Sequence, residues 1–131
     1  MRLLLDTHYV YAVVGAPVRT SAKERAFLNW NRASLTASVL SLWEIRLKWN
    51  ARHRSGARKG PASPDAVQTL LGELGLPILP LHSSPVCAAL DPPLPHGDPF
   101  DEMLLLQAEA EGARLLSRDK NLAGHRLVLT V

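Results

Sequence analysis

The sequence has a single cysteine, Cys87, among 131 residues. It therefore cannot close an intramolecular disulfide or supply a thiolate zinc cluster. Aromatic residues make up only 5% of the chain, and no apolar run is long enough to cross a bilayer as a helix. The opening MRLLLDTHYV is not expected to be a secretory signal, because Asp6 interrupts the apolar run and no small-residue cleavage site follows. There is no glycine-rich phosphate loop and no G-x-S-x-G elbow, so nucleoside triphosphatase and esterase readings lack support. Internal repeats, heptads and low-complexity tracts are also missing. Finally, Arg46 to Pro64 contains no acidic residue.

What remains is ordinary globular composition, 47% hydrophobic and 21% charged with a net charge of +3. This length predicts one domain over residues 1–131 that buries about two-thirds of its unfolded surface. The cytosol is the economical location, and no membrane association is expected. The acid-free stretch holds Arg46, Lys48, Arg52, Arg54, Arg58 and Lys59. Two readings stand: a solvated helix face running into a loop, or a patch that tracks phosphates, with Arg46, Arg52 and Arg54 as RNA-binding candidates.

Local signals alternate between strand and helix. Arg2–Leu5 reads as a short buried strand, and Asp6-Thr7 can cap a helix over Tyr9–Val14. Thr20-Ser21 caps a helix to about Trp30, with Ala22, Ala26 and Trp30 or Phe27 expected on its inner face. Ser34–Ala37 is a weak second strand. Ser38 caps a helix over Val39–Asn50, in which Trp43 and Trp49 are expected in the core. Ser55–Ser63 reads as a flexible insertion, and Ser63-Pro64-Asp65 starts a helix through Leu74. Pro77–Pro80 is a strand candidate, and Ser83-Ser84-Pro85 opens a short helix to Leu90. A proline-rich linker then leads to His96. Asp98-Pro99 opens a helix that continues to Glu111, Arg114–Ser117 is a strand, and His125–Val131 reads as the last one. The expected fold is a three-layer α/β/α arrangement around a mostly parallel sheet of about five strands.

The acids fall at informative places. Asp6 and Asp119 each follow a strand, at the edge where open parallel sheets bind ligands. Asp98 and Asp101 open a helix, and Glu44 interrupts an apolar helical surface. Asp6 reads equally as a helix cap or a ligand. Glu44 reads as an i, i+4 partner of Lys48 or as a ligand. Four acids converging without matching cations would repel one another, a conflict that a divalent ion resolves. Carboxylate oxygens suit Mg2+ or Mn2+, and such a site can activate a water for phosphodiester hydrolysis.

The segments LLLDTH (3–8), SVLSLWEIRLKW (38–49), LPHGDPFDEMLLLQA (94–108) and LLSRD (115–119) together resemble PIN-domain ribonucleases. Among these the resemblance is greatest to VapC-type toxins of toxin–antitoxin pairs, in order and spacing over essentially the whole chain. It implies an acidic pocket of Asp6, Glu44, Asp101 and Asp119. Asp6 and Asp101 would bind the metal directly, and the other two would complete its shell or hold its waters. Asp98 then reads as the helix cap with an outer-shell role. Ser117 stands where the family often has threonine, and His96 is either an RNA contact or a structural hydrogen bond. Glu102 departs from a frequent arginine, and Tyr9-Val10-Tyr11 from an apolar-Trp pattern. The implied activity is a Mg2+-dependent endoribonuclease (Mn2+ as substitute) acting on transfer or ribosomal RNA. The implied partners are a VapB-like antitoxin and a second copy of the toxin, in a complex that binds operator DNA through the antitoxin. A catalytically silent PIN-like module that binds RNA or a partner is the alternative. A phosphoacceptor receiver domain is disfavoured by the lone acid after the first strand and the lack of acids in mid-chain.

Overall fold

In the computed structural model, which describes residues 1–131, five strands form one sheet in the order β3-β2-β1-β4-β5, all parallel. The strands are β1 (Arg2–Leu5), β2 (Leu35–Ser38), β3 (Ile78–Leu79), β4 (Ala113–Leu116) and β5 (Val128–Leu129). Six α-helices join them: α1 (Thr7–Val13), α2 (Ala22–Trp30), α3 (Val39–Asn50), α4 (Pro64–Glu73), α5 (Ser83–Cys87) and α6 (Pro99–Ala110). No helix is long and apolar enough to cross a membrane.

The period of two along β1 divides the core between the layers. Leu3 and Leu5 join Tyr9, Val10, Ile45, Val67 and Leu71 on one face, while Leu4 joins Leu104, Leu105, Leu115 and Leu122 on the other. A strand buried on both sides reads as a continuous apolar run, as Leu3-Leu4-Leu5 does. Gln107 anchors α6 to the sheet from a fully buried position. It accepts a hydrogen bond from the Ser38 hydroxyl at the end of β2 and donates to the Pro80 carbonyl at 3.0 Å.

The helix starts follow the capping signals. Ser38 accepts from the Leu40 N–H, Ser63 from the Ala66 N–H, and Ser21 forms a reciprocal capping box with Glu24. Four expectations change. The last strand is confined to Val128–Leu129, because only that part runs beside β4. The inner face of α2 is Glu24, Leu28 and Phe27, whereas Ala22, Ala26 and Trp30 face outward. Trp43 is 55% exposed and Trp49 only half-buried, since α3 is apolar on every side and the sheet covers one stripe of it. The segment after α3, expected to be a flexible insertion, is a pinned hairpin. Arg52 pairs with Arg58 across it, and the Lys59 and Gly60 N–H groups donate to the Ala51 and Lys48 carbonyls at 2.9 and 3.0 Å.

Candidate active site

The chain steps from β1 to β2 to β3 in one direction and later places β4 and β5 on the other side of β1. The carboxyl ends of β1 and β4 therefore flank the point where the strand order reverses, the crevice at which open α/β sheets bind ligands. Asp6 leaves β1 there, and Ser117 and Asp119 leave β4.

Asp6 is the cap of α1 and stands at the carboxyl end of β1. Its Oδ1 accepts from the Tyr9 N–H at 3.0 Å, and the Ser117 hydroxyl nearby also favours its charged form. Burial nevertheless pushes its pKa up, outweighing those hydrogen bonds and the nearby His8; Glu44 adds to the rise. Ser117 is fully buried, and its oxygen also accepts from the Asp119 N–H at 3.1 Å. Asp119 in turn accepts from the Asn121 N–H at 2.9 Å through Oδ1.

Glu44 comes from α3 and holds two partners at once. Its Oε1 accepts from the Thr7 hydroxyl at 2.6 Å, and its Oε2 lies 3.0 Å from Lys48 Nζ. The i, i+4 ion pair with Lys48 that the sequence offered is present, and the Glu44 charge also reaches Asp6 and Asp101. Asp101 stands in the first turn of α6, and Asp98 caps that helix by accepting from the Phe100 and Asp101 N–H groups at 2.9 and 3.3 Å. Asp101 is pushed up to about 6, first by burial and then by the like charges of Asp98, Asp119 and Glu44. Only His96, with Nε2 4.0 Å from its Oδ2, opposes the rise. His96 Nε2 is itself buried without a hydrogen-bond partner.

The Glu44 charge reaches both Asp6 and Asp101, and the Asp119 charge reaches Asp101, yet no three of the four acids close into a ready metal cage. The donor set still fits a small hard cation, because Mg2+ keeps several waters and needs only one or two direct carboxylates.

The basic residues divide. Arg46 lies two positions from Glu44 on α3, roughly the opposite side of the helix, and so away from the acids. Arg52 and Arg54 lie exposed on the hairpin, where Arg52 donates to the Gly56 carbonyl at 2.8 Å. The sequence reading missed Thr7 as a Glu44 partner, although its place beside Asp6 is a usable signal. It also missed a buried network behind the site. The Tyr9 hydroxyl donates to Glu24 at 2.6 Å, and Arg118, next to Asp119, lies 3.5 Å from the same carboxylate and donates to the Arg19 carbonyl at 2.7 Å.

A family model described as PIN domain matches residues 3–126. No curated protein matches significantly. Among solved structures, the chain is similar to a DNA-bound VapBC from Salmonella typhimurium, with TM-score 0.65, 15% identity, and 100% of this chain and 97% of that one covered. It is likewise similar to VapBC2 from Rickettsia felis bound to a DNA fragment from its promoter, with TM-score 0.63, 15% identity, and coverage of 100% and 98%. At such identities the likeness speaks for the fold.

Proposed function

The chain belongs to the PIN-domain family, and on that premise we propose that it is a divalent-metal-dependent endoribonuclease serving as the toxin of a toxin–antitoxin pair. The observation that carries the reading is Asp101. Its carboxyl is raised to about 6 among Asp98, Asp119 and Glu44 at the switch point of a parallel sheet. A carboxyl raised by burial and like charge at such a point suits a ligand of opposite charge.

Asp6 and Asp101 would hold Mg2+, or Mn2+ in its place, with Glu44 and Asp119 holding its waters. When bound, the ion lowers the pKa of a water and stabilises the charge that develops on the phosphate. The chain's own residues do the rest. Ser117 orients Asp6, Thr7 and Lys48 orient Glu44, and the Asp98 cap fixes the first turn of α6 that carries Asp101. Asp119 or Glu44 can accept a proton from the attacking water. The substrate proposed is structured RNA, transfer or ribosomal, and the cytosol is where it would be met.

The proposed regulator is a VapB-like antitoxin that also carries the complex to operator DNA, with two toxin copies in the assembly. Support comes from the two solved neighbours, both VapBC complexes bound to DNA. Further support comes from an apolar surface between α3 and α6: exposed Trp43 packs on half-buried Phe100 with ring centroids 5.3 Å apart, next to Leu40, Pro99 and Met103. The test is cleavage of total RNA by partner-free protein in Mg2+, in Mn2+ and in EDTA, beside Asp101→Asn. Discrete cuts that need both metal and Asp101 are expected. A folded protein that binds RNA and Mg2+ but cuts nothing would instead be the binding-only module.

A further inference from the structure

A second concavity of about 400 Å³ lies beside the acidic crevice, walled by His8, Tyr11, Val18, Lys48, Lys59 and Pro61. It shares a border with the carboxylates, because Lys48 reaches Glu44 at 3.0 Å and Tyr11 feels the Glu44 charge. Its electrostatics are the reverse of the crevice's. Two ammonium groups line it, no acid does, and Lys59 has no carboxylate in ion-pair range.

The fold fixes Lys59 in place. The hairpin after α3 returns so closely that a Cβ on Gly60 would fall 2.9 Å from the Trp49 nitrogen and 3.0 Å from the Lys48 carbonyl carbon. Only glycine permits that approach, and the backbone bonds from Lys59 and Gly60 to the end of α3 depend on it. Tyr11 forms part of the wall; it is 4% exposed, and its buried hydroxyl has no hydrogen-bond partner. His8 contributes a wall rather than a donor, since its Nε2 is engaged with the Arg19 carbonyl at 2.7 Å.

We propose that this cavity is a phosphate subsite, in which Lys59 with Lys48 takes a backbone phosphate of the RNA strand flanking the acidic crevice. This deepens the ribonuclease reading and rests on it for the identity of the strand. A lysine that holds one phosphate of a single strand displaces condensed counterions, so it leaves a signature in the salt dependence of binding. Lys48 is a poor probe because its removal also frees Glu44; Lys59 is the clean one.

The experiment measures binding of a short fluorescein-labelled single-stranded RNA by anisotropy, in EDTA so that nothing is cut, across a salt series. Lys59→Ala should weaken binding and lower the slope of log K against log salt by about 0.7, while Lys59→Arg restores the slope. Lys23→Ala, the same charge loss on α2, should leave the slope unchanged. An unchanged slope in Lys59→Ala, or an equal fall in Lys23→Ala, overturns the subsite. So does stabilisation of the wild type by inorganic phosphate that Lys59→Ala abolishes without any change in RNA slope, which marks a free-anion site. The two readings fail separately. Metal-dependent cleavage with no slope change in Lys59→Ala removes the subsite alone, whereas the slope change without any cleavage removes the nuclease alone.

Discussion

Two carboxylates, Glu24 and Asp101, leave water in this fold and meet opposite fates. Burial alone would raise the pKa of Glu24, but hydrogen bonds from the Tyr9 hydroxyl and from Ser21, with the Arg118 charge, bring it below its usual value. Asp101 is half-buried, but its neighbours are Asp98, Asp119 and Glu44, and it is raised to about 6. The fold thus completes one carboxylate and surrounds the other mainly with like charge. A satisfied buried acid holds structure together; an unsatisfied one costs stability and is retained where a ligand supplies what is missing.

Four measurements would break or sharpen that contrast. The largest effect is expected in catalysis. Asp6→Asn and Asp101→Asn should each reduce RNA cleavage by roughly 10²–10⁴-fold while the far-UV spectrum stays native. Glu24→Gln should keep its cleavage rate per folded molecule, and a comparable loss there would erase the distinction. Next is the response to metal. Mg2+ at a hundredfold excess over its dissociation constant should stabilise the wild type by about 2.7 kcal/mol in a thermal melt and Asp101→Asn far less. The stabilisation should weaken as pH falls below about 6, where a proton competes for Asp101.

Smaller effects follow in the metal-free protein. Glu24→Gln should lose about 2 kcal/mol in a denaturant titration at pH 7, since a charge-assisted buried network is broken. Glu24 has a depressed folded pKa, so its contribution is present above its unfolded value of 4.5 and is lost as pH falls through the folded one. Asp101→Asn should move the other way, gaining about 1–2 kcal/mol at neutral pH. A raised carboxyl destabilises the native state fully only above about 6, so this gain should fade as pH drops toward 3.8. An Asp101→Asn variant less stable than wild type at pH 7 would mean that the aspartate makes a structural bond after all.

Much of the site was legible because its residues sit beside local signals. Asp6 and Asp119 each follow a strand, and Asp98-Pro99 is a helix start that puts Asp101 in the first turn. Glu44 stood out as an acid on an apolar helix. Glu24 did not: the apolar spacing on α2 pointed to Ala22, Ala26 and Trp30 or Phe27, of which only Phe27 turns inward, and nothing nearby in the sequence announces Tyr9 or Arg118 as its partners. Trp43 was misplaced for a related reason, since α3 is apolar all round and its own sequence cannot tell which side the sheet will cover.

The sequence by itself determined the order of strands and helices, the caps at Ser21, Ser38, Ser63 and Asp98, and which strand ends carry acids. Each of these is settled within about four residues along the chain, by backbone groups seeking the nearest side chain. The tertiary structure alone decided which carboxylate finds a cation, which aromatic stays exposed, and that Lys59 is folded back onto α3 beside Tyr11. Those outcomes depend on pairs such as Ser38 with Gln107 or Glu24 with Arg118, which meet only after the parallel crossovers close.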